Sequence, residues 1–153
     1  MTYMDKRINL AAKARGQILQ EVTIFEQMIE IYLSMYYAQK GKQIDFKSAF
    51  LQKMGFRNKV ETFVDTITKY QNQFKINNPN YKKDLNAILK IRNIVAHEVL
   101  NPIGEDYDTK GVLEFNNLRK TPKITPYSEE QISAHINSII KYTFEVQKLI
   151  TEK

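Results

Sequence analysis

The chain has no cysteine among its 153 residues, which excludes disulfides, thiolate metal sites and cysteine nucleophiles. Histidine is scarce: there are two, His97 and His135, far apart in the sequence. That leaves little from which to build a metal site, so neither a metal nor another cofactor is expected. No apolar run reaches the roughly 20 residues that span a bilayer. The first residues, Met1-Thr2-Tyr3-Met4-Asp5-Lys6-Arg7, lack the charged-then-apolar layout of a signal peptide. No membrane partner is expected, and a cytoplasmic address is the default. Glycine (five) and proline (four) are few, so little interrupts long helices.

What is present suits one domain over 1–153 with a real core, since 42% of the residues are hydrophobic. The net charge is +6, and the excess is uneven. Residues 51–100 hold nine Lys/Arg against four Asp/Glu, whereas residues 101–153 hold seven against eight. A basic field of this kind favours a polyanion such as RNA, although ordinary solubility accounts for it equally well.

Helical periodicity dominates. Ile18, Val22, Phe25, Ile29, Tyr32 and Tyr36 mark one long amphipathic helix ending before Gly41. A connector follows to Gly55, with Phe46, Phe50 and Leu51 expected to pin it to the core. A second helix is predicted over about 58–74, with Val60, Phe63, Val64, Ile67 and Tyr70 on its buried face. Asn78 and Pro79 read as the cap and first position of a third helix. That helix carries Leu85, Ile88, Leu89, Ile91 and Val95, and ends near His97 to Leu100, ahead of Asn101-Pro102. Residues 101–127 read as a long loop or a small β-hairpin, from the weak alternation in Val112–Phe115 and Lys123–Thr125. Ser128-Glu129-Glu130-Gln131 is a capping box opening the last helix, whose apolar face is Ile132, Ile136, Ile139, Ile140, Phe144 and Ile150. The fold class is all-α: an antiparallel bundle of about four or five helices with that insertion before the last one.

The chemistry concentrates in Lys90-Ile91-Arg92-Asn93-Ile94-Val95-Ala96-His97-Glu98. Arginine offers a rigid fork of donors matched to phosphate, and histidine moves protons near neutral pH. RNA carries its own nucleophile, the 2′-hydroxyl, so a protein cleaving it need only move protons and stabilise charge. In that chemistry His97 is the general acid or base and Arg92 holds the phosphate. Asn93, one turn before His97, orients the imidazole or binds the phosphate. An ideal helix sets Arg92 and His97 roughly 140° apart. The motif therefore looks incomplete within one chain, which is a reason to expect a site shared by two subunits. The bland alternative is a helix end stabilised by a histidine cation, with a solvated arginine. His135 reads as a partly packed boundary residue.

Secondary candidates surround the motif. Lys82, Lys83 and Lys90, and Lys110, Arg119, Lys120 and Lys123 in the insertion, could meet an RNA backbone or simply be solvated. Glu61 and Asp65 on the preceding helix are candidates for a supporting acidic group. Tyr107 and Tyr127 are candidates for base stacking.

The string Ile91-Arg92-Asn93-Ile94-Val95-Ala96-His97 on a long helix resembles the signature of the HEPN superfamily (higher eukaryotes and prokaryotes nucleotide-binding). That signature is an Arg, four to six residues and a His, often with a polar residue directly after the Arg. Arg92, Asn93 and His97 occupy those places, and the helix order agrees over most of the chain. The resemblance implies a HEPN-like helical domain acting as a metal-independent endoribonuclease. Its cleavage proceeds by 2′-hydroxyl attack at a composite site of a homodimer, leaving a 2′,3′-cyclic phosphate and a 5′-hydroxyl. It further implies a toxin–antitoxin or phage-defence role, with an antitoxin or defence-system protein as partner. The alternative is a non-catalytic HEPN-like module that binds RNA, nucleotide or a partner protein. Val99 stands where one HEPN subgroup has a tyrosine, so regulation through that tyrosine is not expected here.

Overall fold

A computed structural model describes residues 3–100, 112–117 and 123–152. Six α-helices lie among them: α1 (Tyr3–Tyr37), α2 (Gln43–Ala49), α3 (Phe56–Tyr70), α4 (Asn72–Asn77), α5 (Tyr81–His97) and α6 (Glu129–Thr151). A 3-10 turn, Leu51–Lys53, joins α2 to α3. The strands β1 (Val99–Leu100), β2 (Val112–Asn117) and β3 (Lys123–Ser128) form an antiparallel sheet in the order β1-β2-β3. Among the described residues no helix is long and apolar enough to cross a membrane.

The long helices α1, α3, α5 and α6 make the all-α bundle, each burying the stripe that its periodicity marks. Ile18, Phe25, Ile29, Tyr32 and Leu33 of α1 are fully buried, as are Phe63 and Ile67 of α3 and Ile139, Tyr142 and Val146 of α6. Leu85, Ile88, Ile91 and Val95 of α5 join them. Phe74 of the short α4 plugs one end, meeting Phe63 and Tyr81 edge-on with ring centroids 6.0 Å away in each case. Tyr142 reaches through the core so that its hydroxyl donates to Asp84 at 2.7 Å. A buried hydroxyl needs such a partner.

The insertion before α6 does contain a hairpin, longer than the alternation alone marks. Leu113 pairs with Tyr127 and Phe115 with Thr125. Leu113, Phe115 and Tyr127 are buried, so one face of the sheet rests on the bundle. β1 adds a third strand directly after α5, with Val99 opposite Asn116 and Leu100 opposite Phe115. The capping box is as the sequence implies: Gln131 N–H donates to the Ser128 hydroxyl at 3.1 Å, and Ser128 N–H donates to Gln131 Oε1 at 2.8 Å. Such a cap stabilises a helix by about 1 kcal/mol.

Four expectations are corrected. The second helix stops at Tyr70, and the chain turns at Gln71 before α4, which lets Phe74 point inward. Asn78 does not cap α5, which begins at Tyr81 after Asn80. Its buried amide instead donates to the Phe74 carbonyl at 3.2 Å and to Glu145 Oε2 at 3.0 Å, tying α4 to α6. Tyr70 and Phe144 lie on solvent-facing edges of their helices rather than in the core. Of the residues expected to pin the connector, Leu51 is buried and Phe46 half-buried, but Phe50 is exposed and stacks on Phe46.

A charged cluster joins α1, α2 and α3. Lys59 is only 4% exposed; its ammonium donates to Glu30 at 2.7 Å and to Glu26. Lys47 of α2 closes on the second oxygen of Glu30 at 3.3 Å.

Candidate functional site at the end of α5

α5 ends at His97 because Glu98 leaves the helix with extended geometry (φ −93°, ψ 147°) and leads into β1. The last carbonyls of a helix lack intrahelical partners and carry partial negative charge. The Glu98 carbonyl just beyond accepts a 2.8 Å hydrogen bond from the Arg15 guanidinium of α1. Arg15 thus fixes the path of the chain directly after His97. The sequence shows no signal for this contact, since Arg15 sits at the edge of an apolar stripe and its partner is 83 residues away.

Arg92 and His97 meet within one chain. The Arg92 guanidinium lies against the Phe56 ring at the start of α3, 5.9 Å from its centroid. One guanidinium nitrogen donates to Asn93 Oδ1 at 3.2 Å and lies 3.5 Å from His97 Nε2, the outer limit of a hydrogen bond. The ideal-helix angle misleads here because it describes where the side chains leave the backbone. A four-bond arginine stem curls across Asn93 and closes that gap. A guanidinium has no acceptor, so a hydrogen bond in this contact runs from Arg92 to the Nε2 lone pair. His97 is exposed, while Arg92 and Asn93 are half-buried. The site therefore has a cation on an aromatic floor beside an exposed imidazole.

The other candidates separate into groups. Lys90 is exposed and falls on the same ridge of α5 as Asn93 and His97, at helical spacings of three and seven. Lys83 is exposed one heptad earlier, and Lys82 lies 5.9 Å from the Tyr81 ring centroid. Glu61 and Asp65 are not brought to the motif, because Phe56 is the α3 residue under Arg92. Glu61 instead pairs with Arg57 at 3.8 Å, and Glu61 and Asp65 line a groove farther along α3 and α5. Lys110, Arg119, Lys120 and Tyr107 lie outside the described residues, as does the side chain of Lys123. Tyr127 is buried and packs edge-on against Phe115, which removes it as an open stacking face. Among the described residues no group of three or more His, Asp or Glu side chains is placed to hold a metal ion.

His135 is half-buried on α6, its ring 5.8 Å from that of Tyr127. Burial pushes its pKa below the usual 6.5, and the charge of Lys90 pushes the same way. The unfolded chain then binds this proton more readily than the folded one, so stability falls as pH drops below about 6.5 and levels off below the folded pKa. Urea unfolding at pH 7.5 and 5 should show this loss, reduced in His135→Gln. An unchanged pH dependence in that variant would remove His135 as its source.

No family model, no curated protein and no solved structure matches the chain.

Proposed function

We propose that this chain is a HEPN-type endoribonuclease that cleaves RNA through its own 2′-hydroxyl, using Arg92 and His97. The observation that carries the reading is the meeting of the Arg92 guanidinium with His97 Nε2 at an exposed helix end. It puts a fixed cation and a proton acceptor within reach of one phosphate. In the reaction, His97 Nε2 takes the proton of the 2′-hydroxyl. The alkoxide attacks the adjacent phosphorus and the bond to the 5′-oxygen breaks. Arg92 holds the non-bridging oxygens, whose charge grows in the transition state. The leaving 5′-oxygen needs a proton, and one imidazole cannot serve as base and acid at once. The His97 of a second copy supplies it, so the composite homodimer site rests on proton inventory rather than on reach. Asn93 positions the guanidinium through their hydrogen bond. The products are a 2′,3′-cyclic phosphate and a 5′-hydroxyl, and no step needs a metal. By the same resemblance, the setting is a toxin–antitoxin or phage-defence system with a protein antagonist.

The test is incubation of end-labelled RNA with the purified protein in EDTA. Cleavage should persist, and the new ends should be cyclic phosphate and 5′-hydroxyl. Intact RNA, or 5′-phosphate ends, would sink the proposal. One observation favours the alternative, a HEPN-like module that binds RNA, nucleotide or a protein without turnover. Among the described residues, Arg92 is the one side chain in hydrogen-bond contact with His97, so a single chain shows no second proton carrier at the imidazole.

A further inference from the structure

A groove of about 210 Å³ runs between α3 and α5, and its lining residue nearest Arg92 in sequence is Leu89, three residues earlier on α5. Its floor is apolar, made by Val60, Val64 and Leu89. Its two walls differ in chemistry: Glu61 and Asp65 stand on α3, and Lys82 stands with Asn86 on α5. The groove and the motif are neighbours on both helices. Val60 is one turn from Phe56, whose ring supports Arg92, and Leu89 is one turn before Arg92 itself. Asn86, farther along, is about 9 Å from Arg92 by helical rise. The groove is smaller than the roughly 300–1,000 Å³ of pockets that enclose drug-sized ligands, so it suits one planar ring system rather than a whole nucleotide.

We infer that this groove is a base-recognition subsite that seats a guanine next to the phosphate held by Arg92; this rests on the ribonuclease reading above. Single-stranded RNA offers unstacked bases whose Watson–Crick edges are open to side chains. Guanine alone presents two adjacent donors on that edge, N1–H and the N2 amine, which match the two oxygens of one carboxylate. Adenine and cytosine each pair one donor with a ring acceptor, and uracil sets one donor between two carbonyls. Each of those acceptors would face a carboxylate with like partial charge. Asp65 is the reading residue, because Glu61 is already engaged by Arg57 at 3.8 Å whereas Asp65 is exposed and has no ion-pair partner among the described residues. Lys82, on the opposite wall, suits the O6 and N7 acceptors of the same base. The apolar floor contacts the ring faces and excludes water beneath them.

The experiment maps cleavage ends on an RNA of equal base content and, separately, measures binding of the four nucleoside 3′-monophosphates by NMR titration. Wild-type protein should cut next to guanosine at least about tenfold more often than next to any other base. Asp65→Asn should cut next to guanosine at least about tenfold more slowly and move the preference towards adenine, because an amide pairs one acceptor with one donor as adenine does. Uniform cutting by the wild type, or an unchanged guanine preference in Asp65→Asn, would overturn the subsite. If the wild type cuts no RNA, the ribonuclease reading fails and the binding arm decides the subsite. Tighter binding of guanosine 3′-monophosphate than of the other three, weakened in Asp65→Asn, upholds it; equal binding of all four overturns it.

Discussion

Arg92→Ala and His97→Ala should each lower RNA cleavage by about 10²-fold or more while leaving the fold intact. A positioned acid or base contributes roughly 10²–10⁴-fold, and a group that stabilises developing charge contributes on a similar scale. His97 is exposed, and Arg92 touches the fold mainly through the Phe56 ring and Asn93. Neither truncation opens a core cavity, so circular dichroism should show unchanged helix content. Arg92→Lys is the sharper variant. Lysine keeps the charge but loses the planar fork that spans two phosphate oxygens. It should recover only a minor part of the rate. The measurement is single-turnover cleavage of a labelled RNA at saturating protein. Equal rates for His97→Ala and wild type would remove the imidazole from the chemistry, whatever Arg92 does.

The largest expected effect on stability is elsewhere, at Lys59. Lys59→Met keeps the stem volume and removes the charge, leaving Glu26 and Glu30 facing each other with only Lys47 to compensate. Breaking one side of a buried ion pair costs about 3–5 kcal/mol, because the remaining charge stays desolvated. The effect should lie near the lower figure, since Glu26 is partly exposed and Lys47 remains. A loss of that size lowers the melting temperature by roughly 10 °C in a chain of this length. The pair also sets a pH dependence. Burial lowers the Lys59 pKa, but the hydrogen bonds it donates to both carboxylates, with their charges, more than offset it, so the net shift is upward. Its contribution is therefore complete below the unfolded lysine value of about 10.4 and disappears as pH rises through the higher folded value. Thermal melts between pH 7 and 11 would read both effects. Replacing Lys59, Glu26 and Glu30 together by apolar residues should be much milder than Lys59→Met, since no charge is left buried.

Local features were legible in the sequence, and long-range ones were not. The capping box of α6 needs only residues 128 and 131, so the pattern defines it completely. The hairpin showed itself through Leu113 and Phe115 alternating with polar neighbours, but Val99–Leu100 is too short for a period and went unmarked. Periodicity shows which residues share a stripe but not how far a neighbouring helix covers it. That is why Tyr70 and Phe144 were expected inside and lie outside. Asn78 was assigned to the nearest helix end, whereas its amide is claimed by Glu145, 67 residues on. At the candidate site, Arg92, Asn93 and His97 were visible as residue types. Their mutual contact was not, because side-chain length outweighs the angle at which side chains leave the helix. Arg15 and Phe56, which hold that helix end from α1 and α3, could come only from the assembled bundle.

The most extensive helix pair joins α1 to α6, and residues 38–128 lie between those two helices. During synthesis, α1 emerges early but has no partner for its longest interface until α6 has left the ribosome. Closing so large a loop also makes this contact a late step in folding. The stripe of α1 that faces α6 therefore stays uncovered until then.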